Sequence, residues 1–271
     1  MDKIIGLGNA LIDVLATLKD DTLLDELELP KGSMQLIDDA KLQQINTKFS
    51  QMKTHLATGG SAGNAILGLA CLGAGTGFIG KVGNDHYGDF FRKNLQKNNI
   101  EDNLLTSEQL PSGVASTFIS QDGERTFGTY LGAAASLKAE DLTLEMFKGY
   151  AYLFIEGYLV QDHEMILHAI ELAKEAGLQI CLDMASYNIV ENDLEFFSLL
   201  INKYVDIVFA NEEEAKAFTG EEPEEALRVI AKKCSIAIVK VGANGSYIRK
   251  GTEEIKVSAI PVEKVLDTTG A

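Results

Sequence analysis

Five short stretches carry residue types whose spacing could do chemistry. Asp13 stands among Leu11, Ile12, Val14 and Leu15, just past an apolar run. A carboxylate so placed can accept hydrogen bonds from the hydroxyls of a bound molecule, or it can be a solvated turn residue. Gly59-Gly60-Ser61-Ala62-Gly63-Asn64 opens an uncharged stretch. Glycines let a ligand approach the backbone, and a helix starting there presents free N–H groups. Asn64 offers both donor and acceptor to a polyol. Close helix packing through small residues would explain Gly68 and Ala70, but not the cluster in front of them. Asn211-Glu212-Glu213-Glu214 follows Val208-Phe209-Ala210. Where strand gives way to helix, Asn211 can touch phosphate, and Glu214 faces the same side three residues on. Magnesium on nucleotide phosphates keeps several waters and takes one or two carboxylates, a role open to Glu214. An acidic first turn favoured by the helix dipole accounts for Glu212 and Glu213 and serves equally well for Glu214. Gly242 and Gly245 belong to a tight turn that lines a nucleotide or simply turns a hairpin. In Asp267-Thr268-Thr269-Gly270-Ala271, the residues Thr268, Gly270 and Ala271 could begin an anion hole of backbone N–H groups at a helix start.

These residues must be positioned by the elements around them. Near-continuous apolar runs predict strands over Ile4–Gly8, Gly77–Lys81, Tyr152–Glu156, Gln179–Asp183, Asp206–Ala210 and Ile236–Val241. Helical spacing predicts helices over Ser61–Leu72, Asp89–Asn98, Asp162–Ala176, Glu212–Thr219 and Glu224–Lys233. The alternation argues a doubly wound, mostly parallel α/β sheet with helices on both faces. Ligands of such sheets bind outside the carboxyl ends of the strands, and Asn9, Asp183, Asn211 and Gly242 stand at those ends. Residues 11–37 and 113–130 break the alternation and read as short strands and turns. We expect them to form one small β lid, within a single domain over residues 1–271. Gly6-Leu7-Gly8-Asn9-Ala10-Leu11 begins like a dinucleotide fingerprint but has Leu11 where the last glycine belongs. That excludes a dinucleotide site.

The 271 residues are 46% apolar, enough for a large core, and carry a net charge of −16. That charge argues against a nucleic-acid partner but not against a small phosphate compound held by backbone N–H groups. Cys71, Cys181 and Cys234 lie far apart in apolar runs. They read as buried, reduced thiols, which points to a cytoplasmic location. Thr58–Gly80 is free of charge but broken by glycine. It reads as a buried helix and strand, so no membrane partner is expected.

Together the motifs resemble the PfkB (ribokinase-like) family of carbohydrate and nucleoside kinases. Gly59–Asn64, continuing through Leu72-Gly73 to Ile79-Gly80-Lys81-Val82-Gly83-Asn84-Asp85 and Gly88, is similar to the first family signature. Asn211–Glu214 looks like its Asn-x-x-Glu motif, and Asp267–Ala271 like the start of its second signature. The resemblance implies a ribokinase-like fold and transfer of the ATP γ-phosphoryl to a primary hydroxyl. It implies that Asp13, Gly60 and Asn64 hold substrate hydroxyls, that Asn211 and Glu214 organise phosphates and Mg2+, and that Gly242 and Gly245 lie near the nucleotide. ATP and Mg2+ are the implied cofactors, with a monovalent cation as a further candidate. A monomer or a homodimer is implied. Arg125–Ala134 and Pro30–Gln35 are similar to segments of the adenosine-kinase branch. This favours a nucleoside over a sugar, with Phe118, Phe127 or Tyr130 stacking on the base. The family's second signature continues Gly-Asp, and that Asp, the general base, would fall two positions beyond Ala271. We therefore expect residues 1–271 alone to show no turnover, as part of a longer kinase. The alternative is a non-catalytic ligand-binding remnant.

Overall fold

A computed structural model of the chain describes residues 2–261. The first apolar run forms β1 (Ile4–Leu7). The chain then crosses into the lid with β2 (Leu11–Thr17), α1 (Thr22–Glu26), β3 (Met34–Leu36), α2 (Asp39–Phe49) and β4 (Thr54–Gly59). It returns through α3 (Ser61–Cys71), β5 (Thr76–Gly83), α4 (His86–Lys97) and β6 (Ile100–Ser107), and enters the lid again with β7 (Gly113–Ile119) and β8 (Arg125–Tyr130). The second half alternates β9 (Tyr152–Glu156), α5 (His163–Glu175), β10 (Gln179–Asp183), α6 (Tyr187–Asn192), α7 (Leu194–Lys203), β11 (Ile207–Asn211), α8 (Glu212–Thr219), α9 (Pro223–Ile230) and β12 (Ile236–Lys240). A meander of β13 (Ser246–Lys250) and β14 (Glu253–Val257) follows.

Among the described residues, the large sheet has nine strands in the order β14-β13-β12-β11-β10-β9-β1-β5-β6. From β12 to β6 every pairing is parallel, and β13 and β14 are antiparallel. Parallel strands buried on both faces need apolar side chains in both directions, and successive residues serve opposite layers. Leu153 and Ile155 join the layer built on α5, α7, α8 and α9. Phe154 joins the layer that holds α2, α3 and α4. The order reverses at β1, flanked by β9 and β5, so the carboxyl ends there open a crevice.

Among the described residues, the lid is a five-stranded sheet in the order β3-β8-β7-β2-β4. Strands from both expected stretches share it. β4 is a further strand outside those stretches, and α1 interrupts the first of them. The parity of its pairings divides the sheet into two faces. Ile12, Val14 and Phe118 face a core with Ile45 and Phe49 of α2. Leu11, Asp13, Ala115 and Thr129 share the other face.

Of the two readings open for Asp13, the solvated turn fails: Asp13 lies inside β2, paired with Ala57 and Ala115 and only 7% exposed. Two expectations change. Of the three cysteines only Cys181 is buried: Cys71, at the end of α3, is exposed and Cys234 is half-buried. α3 itself buries fully only Ala62 and Ile66. No helix of the described residues is long and apolar enough to cross a membrane.

Candidate active site

A cavity of about 700 Å³ lies between the carboxyl ends of β1 and β9 and the open face of the lid. Its floor is polar: Asn9, Gly60, Ser61 and Glu156. Met34, Leu36, Thr129 and Leu131 come from the lid. Leu137, Leu159, Met165 and Ile189 close the opposite wall, with Tyr158, Gln161 and His163 beside them.

Glu156, the last residue of β9, organises the floor. It is 1% exposed. One carboxylate oxygen accepts the Asn9 backbone N–H at 2.9 Å and the Asn9 side-chain amide at 2.6 Å. The other accepts the Ala62 N–H at 2.9 Å, in the first turn of α3. One carboxylate therefore ties together the end of β1, the end of β9 and the start of α3. Burial pushes the Glu156 carboxyl above the usual range, against the pull of these three bonds. Glu156 is not among the residues that local spacing singles out. A charged residue closing an otherwise apolar strand was the available signal, and its partners lie 147 and 94 residues away in the chain.

Gly60, the residue before α3, takes φ +86°, and a Cβ there would overlap the Asn9 carbonyl. Glycine is required because it alone adopts that backbone while letting the strand-β1 turn come so close. Gly59 leaves the room that the Asp13 carboxylate fills. Asp13 lies two residues past Leu11 on β2 and so leaves the same face of the lid. Burial raises its pKa from 3.8 to about 6, opposed by the charge of Arg125. Asn64 lies one turn beyond Ser61 on α3, half-buried, and does not line the cavity.

The three candidate aromatic residues separate. Phe118 has no exposed surface and packs on Phe49 at 5.0 Å between ring centres. It is a core residue of the lid's covered face, not a wall of the cavity. Tyr130, paired with Val114, lies on that covered face as well and borders a separate shallow groove. Phe127 pairs with Met34 and Thr117 and is on the face of Asp13, half-buried, outside the cavity lining.

A second cavity of about 430 Å³ lies at the ends of β11 and β12, lined by Asn211, Glu212, Glu213, Lys240 and Gly242. Asn211 caps α8 by accepting the Glu214 N–H at 2.8 Å. The Glu214 carboxylate in turn accepts the Asn211 N–H at 2.8 Å and its side-chain amide at 2.7 Å. This reciprocal capping box satisfies two orphan donors of the helix start. Glu214 is 3% exposed, and burial raises its carboxyl above the usual range. It holds Asn211 in place rather than lining the cavity. Gly245, at φ +90°, packs against the Val257 carbonyl and serves the β12–β13 hairpin. Between the two cavities Asp183 ends β10 and accepts Lys240 Nζ at 3.1 Å. Burial raises the Tyr158 phenol, and the charges of Glu156, Glu214 and Asp183 raise it further. An acidic row thus links the cavities. Thr268, Gly270 and Ala271 lie outside the described residues.

Two adjoining cavities lie at the carboxyl ends of a parallel sheet, one of them beneath a lid, where ligands of open α/β sheets bind. The pfkB family carbohydrate kinase model matches residues 32–271, and the chain belongs to that family. A probable sugar kinase protein from Rhizobium etli CFN 42 is 32% identical, with a TM-score of 0.87 over 98% of this chain and 82% of that one. The adenosine kinase from Sinorhizobium meliloti is 31% identical, with a TM-score of 0.85 over 98% of this chain and 83% of that one. Among curated relatives, the guanosine-inosine kinase of Escherichia coli K12 is 25% identical over 264 residues. The match takes in 93% of this chain but 61% of that protein's length. The fold is that of these ribokinase-like sugar and adenosine kinases.

Proposed function

We propose that the protein is an ATP-dependent kinase that transfers the γ-phosphoryl group to a primary hydroxyl of a nucleoside. The observation that carries the nucleoside reading is the split character of the large cavity. Its floor offers hydrogen-bonding groups of Asn9, Gly60 and Ser61, with Asp13 on the adjacent lid face. Its walls are Met34, Leu36, Leu131, Leu137, Leu159, Met165 and Ile189. A ribose suits such a floor, and a flat base suits such walls, since its apolar faces leave water on binding. A free sugar would leave hydroxyl groups against leucine and methionine side chains, at a desolvation cost. The nucleoside kinases among the relatives support the same reading. Similarity to a probable sugar kinase keeps a sugar substrate as the competing outcome.

The second cavity suits nucleotide phosphates. Lys240 supplies a positive charge and Asn211 a donor at the start of α8. Among the described residues, no group of three or more His, Cys, Asp or Glu side chains converges as a metal cage. The donors present fit a Mg2+ ion that arrives on the phosphates and keeps its waters, with Glu212 and Glu213 as outer partners. Bound there, the ion would neutralise charge on the transferring phosphoryl group. The chain's own residues do the positioning. Glu156 fixes the Asn9 amide and the start of α3, Gly60 admits the substrate to the backbone, and Asp13 grips its hydroxyls. Calorimetry with a panel of nucleosides and free sugars tests the proposal. Adenosine is expected to bind more tightly than ribose or fructose. Tighter binding of any free sugar than of every nucleoside would overturn it.

A further inference from the structure

The family signature contains Asp85, yet Asp85 lines neither cavity. Its contacts give it a different task. Oδ1 caps α4, accepting the N–H groups of Tyr87 at 3.1 Å and Gly88 at 2.8 Å. Helix capping needs no more than that. The same carboxylate also holds Ser112, the last residue before lid strand β7. Oδ1 accepts the Ser112 hydroxyl at 2.7 Å, and Oδ2 accepts the Ser112 N–H at 2.7 Å. The Ser112 hydroxyl oxygen accepts the Gly83 N–H at 2.9 Å, at the end of β5. Ser112 is 2% exposed.

Ser112 sits where the chain passes from body to lid. Among the described residues, four passages join the two sheets: residues 8–10, Gly60, residues 108–112 and Leu131. The last two are locked to each other. Ala133 donates its N–H to the Pro111 carbonyl at 2.8 Å. A Cβ on Gly132 would overlap that carbonyl, and one on Gly113 would lie 2.6 Å from the Leu131 carbonyl. Leu131 lines the large cavity. An unbroken set of contacts therefore runs from Asp85 through Ser112 and Pro111 to the point where lid strand β8 rejoins the body beside the ligand.

We propose that Asp85 and Ser112 form a hinge pin that sets the lid's position over the cavity, making both positioning residues for substrate binding. The inference rests on the cavity being the substrate site. The carboxylate is bonded by four donors, and losing the Ser112 pair unties the passage through residues 108–112 from the start of α4, while its crossing with Leu131 at Gly113 and Gly132 stays intact. The expected consequence is a lid that opens more often and a substrate that leaves faster. ATP binding at the second cavity has no contact with this pin.

The test is Asp85→Ser, which retains a side chain able to cap α4 but is too short to reach Ser112. Ser112→Ala is the companion: it leaves the α4 cap and the backbone N–H bond of residue 112 to Asp85 in place, and removes only the hydroxyl's bonds to Asp85 and from the Gly83 N–H. Hydrogen exchange is followed in β7, β8 and α4, with nucleoside and ATP affinities measured by calorimetry. Asp85→Ser, which loses both bonds to Ser112, is expected to speed exchange in β7 and β8 about tenfold, and Ser112→Ala by a smaller factor, with α4 unchanged in both. Nucleoside Kd should rise about tenfold in Asp85→Ser and less in Ser112→Ala, while ATP Kd holds. Unchanged lid exchange would overturn the proposal. So would exchange that rises equally in α4 together with a global fall in Tm, which marks a merely structural role. Faster lid exchange in a protein that binds no nucleoside or sugar would support the pin and defeat the functional reading instead.

Discussion

Asp13→Asn should make the protein more stable and a worse binder at once. The Asp13 carboxyl is buried in β2 and titrates at about 6 rather than 3.8. Holding it ionised at neutral pH costs on the order of 3 kcal/mol. An isosteric amide removes that cost but leaves a buried polar group poorly paired, returning about 1–2 kcal/mol. The net gain is about 1–2 kcal/mol, or a rise of a few degrees in Tm. The pH dependence gives the sign independently. The folded pKa lies above the unfolded one, so between about 4 and 6 the folded state binds more protons. Wild-type stability from this group is therefore greatest near pH 4, falls as pH rises toward 6, and is lost above it. The variant lacks that slope. On the binding side, losing charge-assisted hydrogen bonds to substrate hydroxyls costs about 1.5–3 kcal/mol, a ten- to hundredfold rise in nucleoside Kd. Wild-type affinity should also weaken as pH drops below about 6. Thermal unfolding from pH 4 to 8 and calorimetry on both proteins measure all of this. A variant with lower Tm and unchanged nucleoside Kd would refute the reasoning and return Asp13 to a purely structural role.

Glu156→Ala strips the acceptor from the Asn9 N–H, the Asn9 amide and the Ala62 N–H. The three stranded donors should destabilise the fold by at least about 3 kcal/mol in chemical denaturation and abolish nucleoside binding. Gly60→Ala forces a side chain into positive φ and against the Asn9 carbonyl. A loss of about 1–3 kcal/mol in stability and at least tenfold in nucleoside affinity is expected; equal affinity would show that the backbone there does not approach the ligand. Phe118→Ala opens the lid core beside Phe49. Unfolding should report a loss of about 3–5 kcal/mol, while any substrate preference between purine and pyrimidine nucleosides stays as in wild type, because the ring never meets the cavity.

The sequence by itself determined the layering of this protein. Strands such as Tyr152–Glu156 and Gln179–Asp183 are legible to the residue because a parallel sheet covered on both faces tolerates only apolar runs. Asn211 and Glu214 were legible as a pair because capping is local, three residues apart. α8 reveals what the spacing could not: Glu214 turns inward to hold Asn211. The lid's faces were decided by tertiary structure. Phe118 and Phe127 both read as lid aromatics, but the pairing of Thr117 with Phe127 puts them on opposite faces. A side-chain period of two makes register, not composition, the arbiter of which ring sees the core. Residues 38–58 gave no expected element, although Leu42, Ile45 and Phe49 lie along one face of α2. That helix and β4 complete a lid whose strands come from both visits of the chain. Glu156 and Asp85 show the same limit most sharply. Each carboxylate acquires its function from donors brought to it by other elements, and no window of sequence contains both the acceptor and all the groups it binds.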